Sequence, residues 1–274
     1  ENGREAILLA DGRSPVGILD LRPAAALSGV TDAFVRRVLP GGRVVLTQQR
    51  SVNLLRPSRT PEPAGAILLV DPRRGTVDTL PLGDGRPPAM VVRWRGSSTV
   101  QLQPFADQPL TGFDPRGRLA VAVERRTDRA EPSFTVSLLR LSGDTVWRRV
   151  VPVDGVELTE ARIDAWLARE GPDRSDATPE ALEAWRSALY RPAYLPPVTA
   201  VVLGEDGGLW LRRELIPGAD TVRWEVWSPE GRRSAQVTLP ATLRVRAVAA
   251  DRAWGTQRTE AGRYRIVRVE VGAG

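Results

Sequence analysis

The acid–base chemistry open to this sequence rests on carboxylates, because its 274 residues include no histidine and no cysteine, and all 39 basic residues are arginine. An imidazole base, a thiolate nucleophile and a Schiff-base lysine are therefore excluded. Most Asp residues adjoin turn glycines, where the side chain accepts hydrogen bonds from its own backbone. We interpret them as turn residues and predict no catalytic residue, no metal site and no cofactor. The candidate acid–base pairs are Asp107 with Asp114, Glu205 with Asp206, and Asp251 with Glu260.

Arginine is the other candidate functional group, although the formal net charge at pH 7 is only +6. Arginines and acidic residues alternate along the chain, whereas a nucleic-acid surface concentrates its basic residues, so we predict no nucleic-acid partner. Neighbouring residues of a strand point to opposite faces, so Arg-Arg dipeptides favour solvated blade edges and salt bridges between blades. The dipeptides are Arg36-Arg37, Arg73-Arg74, Arg125-Arg126, Arg148-Arg149, Arg212-Arg213 and Arg232-Arg233.

Short alternating segments separated by Gly, Asp or Pro dominate the sequence, and this pattern predicts β-hairpins. A second pattern recurs around 69–81, 139–152 and 226–240, where a strand, a turn with glycine and a second strand ending near proline follow one another. The predicted hairpins pair 34–39 with 43–47, 89–93 with 99–102, 112–118 with 119–123, 198–203 with 209–212, and 245–249 with 253–257.

An inner hairpin followed by an outer hairpin is the repeat unit of a β-propeller, at about 40 to 50 residues per four-stranded blade. Trp210 and Trp254 occupy matching places in two such units. We predict an all-β fold in which residues 1–274 form a single β-propeller domain of six blades, with five as the alternative. Strands at 5–9 and 16–21 would pair with 263–271 and close the ring.

A helical pair is expected at 159–190, inserted between two blades. Thr159 and Thr178-Pro179-Glu180 are typical helix starts, and apolar residues follow at helical spacing. The tryptophans of the insertion would either pack it against the propeller or contact a partner protein. The second role is considered because Trp and Arg dominate interface energies. The candidate partner-binding residues are Trp166, Leu167, Trp185, Arg186 and Tyr190.

The second half of the chain resembles a family of exported six-bladed β-propeller proteins of GC-rich bacteria. The resemblance rests on the order of Phe113-Asp114-Pro115-Arg116-Gly117-Arg118, Tyr194 to Val198, Glu205 to Arg212, Trp227 to Arg232, and Thr238-Leu239-Pro240. It implies a propeller fold and export, and it transfers no catalytic residue.

These features favour a non-catalytic protein-binding scaffold or an accessory subunit of a larger complex, with a respiratory or photosynthetic membrane complex as one setting. The alternative is a propeller-type hydrolase or lyase that uses Asp, Glu, Tyr and Arg in the central channel. The sequence begins at Glu1, so we expect an export signal to lie outside it and the location to be periplasmic or extracellular. The longest apolar run, 64–70, is too short for a transmembrane helix, and none is predicted.

Overall fold

The computed structural model describes residues 33–48, 65–84, 89–127, 131–172, 177–249, 251–259 and 262–271. The strands expected at 5–9 and 16–21 lie outside these residues, and so does Glu260. The described chain forms four antiparallel sheets of three or four strands, a separate two-stranded hairpin and two α-helices.

The four sheets, which we call blades 1 to 4, each pair their strands in chain order from the inside outwards. Blade 1 contains β1 (Ala33–Val38), β2 (Val44–Gln48), β3 (Gly65–Asp71) and β4 (Thr76–Asp84). Blade 2 contains β7 (Leu110–Phe113), β8 (Leu119–Arg126), β9 (Ser133–Arg140) and β10 (Thr145–Pro152). Blade 3 contains β11 (Val198–Leu203), β12 (Leu209–Arg213), β13 (Thr221–Trp227) and β14 (Arg233–Pro240). Blade 4 contains β15 (Leu243–Ala249), β16 (Arg252–Arg258) and β17 (Tyr264–Glu270).

The remaining elements form a unit that we call the cap: β5 (Ala89–Trp94), β6 (Ser97–Leu102), α1 (Glu160–Glu170) and α2 (Pro179–Ala188). The hairpin lies between β4 and β7 and the helices lie between β10 and β11, so both are links from an outer strand to the next inner strand. Such links emerge at the same end of successive blades, because every blade runs through its strands in the same alternating directions. The two links can therefore pack on each other.

The cap has its own apolar cluster, in which Met90 and Val92 of β5 pack with Trp166 and Trp185 of the helices. Gln103, which follows β6, ties the two links together. Its side-chain nitrogen donates to the carbonyl oxygen of Ala188 at 2.8 Å, and its side-chain oxygen accepts from the backbone N–H of Tyr190 at 2.7 Å. A carbonyl of the last turn of α2, which has no partner within the helix, is thereby satisfied.

Both predicted helices are confirmed, with different N-terminal chemistry. The hydroxyl of Thr178 accepts a hydrogen bond from the backbone N–H of Ala181, as a capping residue should, whereas Thr159 makes no such side-chain bond. Among the described residues no helix is both long and apolar enough to cross a membrane.

The first strands of the four blades, β1, β7, β11 and β15, surround one central pocket. This radial arrangement confirms an all-β, propeller-like fold with two helices and confirms each predicted hairpin. Four blades are described, and a count of six is not confirmed. The hairpin at 89–102 and the helical pair belong to the cap, so these residues add no blade to the four that are described.

Apolar side chains on facing blades hold the arrangement together. In β8, Ala120 and Ala122 belong to the cluster shared with blade 1, while Val121 and Val123 belong to the cluster shared with blade 3. Since β8 buries both faces, it is a continuous apolar run instead of an apolar–polar alternation. Each valine or leucine buried in this way contributes about 1.5 to 3 kcal/mol.

The outer hairpins of blades 1 and 3 turn at corresponding glycines, and only one of these glycines meets another blade. Gly75 and Gly231 both have positive φ, +65° and +76°. A Cβ at Gly231 would lie 2.7 Å from the ring of Trp147 in blade 2, whereas a Cβ at Gly75 would meet nothing within 4 Å. Trp147 is itself fixed, because it stacks on Trp227 and donates from Nε1 to the carbonyl of Pro229 at 2.6 Å.

Gly231→Ala is expected to lower the free energy of unfolding by about 2 to 4 kcal/mol, since left-handed strain adds to displacement of the Trp147 ring. Gly75→Ala carries only the backbone strain, and its expected loss is about 1 to 2 kcal/mol. Urea denaturation of both variants followed by tryptophan fluorescence measures the difference. Equal losses would show that the contact between Trp147 and Gly231 does not hold blades 2 and 3 together.

Candidate functional site

The central pocket has a volume of about 310 Å³ and a basic lining, with Arg36, Arg37 and Arg246 as its charged residues. Arg37 donates from Nη1 to the carbonyl oxygen of Phe113 at 2.7 Å, which links β1 to β7 across the blade boundary. Arg36 donates from Nε to the hydroxyl of Thr47 at 2.8 Å. No acidic residue is among those that line the pocket, so its described walls do not supply the carboxylate pair required by the hydrolase or lyase alternative.

Asp107 and Asp114 do not form a pair, because they lie beyond opposite ends of β7. Asp114 is fully buried in the turn to β8, and its Oδ1 accepts from the backbone N–H groups of Arg118 at 2.6 Å and Leu119 at 2.9 Å. Asp107 accepts through Oδ2 from the N–H and the hydroxyl of Thr127, at 2.7 and 3.0 Å. Asp114 thus stabilises its own turn, as the turn interpretation expected, whereas Asp107 joins the start of blade 2 to the end of β8.

The other candidate carboxylates also serve turns and ion pairs. Asp206 accepts a backbone hydrogen bond within its own turn at 3.0 Å, and Glu205 forms an exposed ion pair with Arg116 of blade 2. Asp251 is bound on both oxygens by Arg252, and these hydrogen bonds hold the pKa of the Asp251 carboxyl below its usual range. A lowered carboxyl pKa suits an ion pair and not a proton donor at neutral pH.

The cap contains a second cleft, a groove of about 310 Å³ between the hairpin and the helices. Val92, Trp94 and Thr99 line one side of it, and Trp185 lines the other. Next to the groove, β6 pairs only with β5, so its outer edge is open in the described part of the chain. Every residue of β6 except Gln101 is exposed, including Val100 and Leu102.

Three of the five predicted partner-binding residues point into the cap. Trp166, Leu167 and Trp185 are buried in its apolar cluster, and the ring of Trp166 contacts those of Trp185 and Phe105, with centroids 6.1 and 5.9 Å away. This packing corresponds to the alternative role expected from the sequence, in which the tryptophans dock the helical insertion onto the rest of the protein. A direct contact between these three side chains and a partner would require the cap to open.

The remaining two predicted residues lie nearer the surface. The guanidinium of Arg186 in α2 forms ion pairs with Glu160 and Asp164 of α1, and these hydrogen bonds raise its pKa. Arg186 thus fastens the two helices to each other. The backbone N–H of Tyr190 is engaged by Gln103. A partner-binding role for Arg186 and Tyr190 stays a prediction.

A third cleft, which we call the arginine pocket, lies where the cap meets blades 2 and 3 and has a volume of about 210 Å³. Arg125 of β8 and Arg212 of β12 line it. Burial lowers the pKa of Arg125 to about 10 despite the nearby carboxylate of Asp107, and burial also lowers the pKa of Arg212. From the sequence, both arginines were expected only in solvated blade edges or in salt bridges between blades.

The alternation of side chains along each strand could have identified Arg125 and Arg213 as buried. Arg125 continues the row of Val121 and Val123 along β8, and all three are buried. In the same way Arg213 continues the row of Leu209 and Leu211 along β12. The interpretation of these dipeptides as solvated blade edges is therefore wrong for Arg125 and Arg213, because their strands are covered on both faces.

Arg213 forms a buried ion pair between strands of blade 3. Its Nη1 lies 3.0 Å from Oε1 of Glu225, and the two side chains are only 7% and 4% exposed. Oε2 of Glu225 accepts from Nε1 of Trp227 at 3.1 Å, and the guanidinium stacks over Phe134 of blade 2 at 5.4 Å. Arg213 also lies 3.1 Å from Glu214, and Arg233 lies 3.5 Å from Glu225, so the pair belongs to a charge network of blade 3 that faces blade 2.

Arg213→Met and Glu225→Leu are each expected to lower the free energy of unfolding by about 1.5 to 3 kcal/mol, because each removes a buried charge-assisted hydrogen bond. The partner left behind keeps a second contact, Arg233 at 3.5 Å for Glu225 and Glu214 at 3.1 Å for Arg213. The double variant should recover most of that loss, as an apolar pair can replace a buried ion pair. Chemical denaturation of the double-mutant cycle measures the coupling. Removing the exposed pair Arg116–Glu205 is the control, with an expected loss of about 1 kcal/mol or less. Additive single losses would contradict this coupling.

Comparison with known proteins leaves the family of this chain open. No protein-family model matches the sequence, and no curated protein matches it. Among the solved structures that match is prolyl oligopeptidase B from Galerina marginata, at 11% identity and a TM-score of 0.34. The alignment covers 91% of this chain and 37% of that one, so this chain spans well under half the length of the matched structure. A superposition of this quality carries no argument about function.

Proposed function

We propose that this chain is a non-catalytic scaffold whose cap binds an extended segment of a partner protein, which adds a strand along β6. The observation that carries the proposal is the open edge of β6 on a hairpin that packs firmly against two helices. An exposed sheet edge offers unpaired N–H and C=O groups, and addition of a peptide strand is a common way in which such edges bind proteins.

The register of the hairpin identifies the backbone groups at this edge. The hairpin closes through the two-residue turn Arg95-Gly96, with Trp94 opposite Ser97. The residues flanking such a turn exchange hydrogen bonds, and bonded pairs then alternate with unbonded ones. The N–H groups of Ser98, Val100 and Leu102 therefore point away from β5 and towards an added strand.

The exposed face of the hairpin indicates what kind of segment fits. Val100 and Leu102 are 44% and 48% exposed, and Val100 lies opposite the half-buried Val91. The exposed Arg93 flanks this apolar strip on the same face. An added strand that places apolar side chains beside Val100 and Leu102 and a carboxylate near Arg93 would complement both features.

The cellular location and the total number of blades are also part of this proposal. The resemblance of the second half of the chain to exported β-propeller proteins supports a periplasmic or extracellular location, and a larger membrane complex is the partner that we propose. A ring of five or six blades would add a neighbour beside blade 4, where Tyr264 and Ile266 of β17 are 66% and 82% exposed. Covering these two side chains would extend the packing that joins the other blades.

Val100→Pro tests the proposal, because proline removes one outward N–H and leaves the bonds between β5 and β6 in place. Captured partners from the native membrane fraction are identified by mass spectrometry, and hydrogen exchange then follows the complex with the captured protein. We expect the wild-type chain to retain its partner with slowed exchange at Ser98, Val100 and Leu102. The proline variant should bind it at least about tenfold more weakly.

Val100→Ile is the matched control, since it keeps the outward N–H and an apolar β-branched side chain, and it should bind as the wild-type chain does. Thermal melting of both variants verifies that the cap is intact. Equal partner binding by the proline variant, or a complex without protection along β6, would overturn strand addition at this edge.

A further inference from the structure

The arginine pocket combines buried positive charge with unused hydrogen-bonding capacity. Arg125 is 7% exposed, and its two terminal nitrogens donate to the carbonyl oxygens of Val198 at 2.9 Å and Ala106 at 3.1 Å. Its Nε is buried and has no hydrogen-bond partner in the described structure. A buried donor without a partner is destabilising, and a bound acceptor would relieve that penalty.

Arg212 adds a second cation, and no carboxylate in the described part of the chain forms an ion pair with it. Its Nε donates to the hydroxyl of Thr199 at 2.8 Å, and Nη2 lies 3.5 Å from the carbonyl oxygen of the same residue. The nearby Arg244 repels it, which lowers its pKa further below the level set by burial.

The balance of charge around the pocket is positive. Asp107 lies close enough to Arg125 to act on it electrostatically, but it does not line the pocket, and its Oδ2 is occupied by Thr127. Arg169 at the pocket wall is partly exposed and lies 3.5 Å from Glu170. Asp107 thus partly balances the buried Arg125, whereas the half-buried Arg212 feels only another cation, Arg244, so the pocket can accept one more negative charge.

The remaining walls are mostly apolar, with Gln108 and Thr199 as their uncharged polar residues. Phe105 and Trp166 meet edge to face, and three prolines, Pro104, Pro196 and Pro217, line the same pocket. Its volume of about 210 Å³ is below the roughly 300 Å³ at which sites for drug-sized ligands begin. The occupant must therefore be small, with one end that accepts hydrogen bonds from arginine and a compact apolar body.

We propose that the arginine pocket binds a small organic monoanion of the carboxylate class, with its carboxylate at Arg125 and Arg212 and its apolar body against Phe105 and Trp166. Guanidinium groups bind carboxylates through charge-assisted hydrogen bonds, which are strongest where water is excluded. This site is separate from the β6 edge and does not depend on strand addition there.

Isothermal titration calorimetry of the whole chain with benzoate and with benzyl alcohol tests the proposal, since the two probes share an aromatic body and differ in charge. We expect benzoate to bind with a dissociation constant of about 1 mM or tighter, and benzyl alcohol to bind at least about tenfold more weakly. Arg212→Gln should weaken benzoate binding at least about tenfold, because it removes the cation without emptying the pocket.

Arg126→Gln is the control, because Arg126 neighbours Arg125 on β8 but is exposed and should leave benzoate binding unchanged. Arg125→Gln would lose bonds to two backbone carbonyls, so thermal melting is measured for every variant, and Arg212→Gln remains the deciding one. Equal binding of benzyl alcohol, full affinity in Arg212→Gln, or no benzoate binding at about 10 mM would each overturn the proposal.

Discussion

A blade packed between two neighbours must bury both faces of its central strands over much of their length, and most of the structure follows from that constraint. Blade 2 is covered by blade 1 on one face and by blade 3 on the other, so β8 places Ala120 and Ala122 on one side and Val121 and Val123 on the other. Small residues allow one neighbour to approach closely, while branched residues fill the wider gap. The blades thus stabilise each other mainly through burial of facing apolar side chains. The hydrogen bonds described above lie between paired strands or near the ends of strands.

In the described structure the two buried arginines lie near strand ends. Arg125 and Arg213 stand at the ends of two apolar rows, beyond the last valine or leucine, and reach backbone carbonyls or Glu225. A long arginine side chain suits such places, because its aliphatic part packs while its guanidinium finds acceptors. Both arginines lie at the boundary between blades 2 and 3, where Arg125 also meets the cap, and this explains why a basic cleft forms there.

Local patterns predicted the hairpins, the helices and the turn role of Asp114, because each depends on residues close in sequence. They could not predict that the hairpin 89–102 leaves the ring, since that depends on Met90 and Val92 meeting Trp166 and Trp185 from a distant segment. The burial of Arg125 and Arg213 could have been predicted, because counting alternate residues along β8 and β12 places them on covered faces. The arginine pocket could not have been predicted, because it brings together residues from the cap and from two blades.

The cap also bears on how the molecule moves. Its apolar cluster contains no side chain from the four blades, and the bonds of Gln103 to the end of α2 join its two links directly. A unit with its own core and few shared contacts can unfold locally at lower free energy than the whole domain. Amide exchange in α1, α2 and the hairpin would then follow one common opening event, faster than exchange in the blades, and the cap would behave as a foldon of its own.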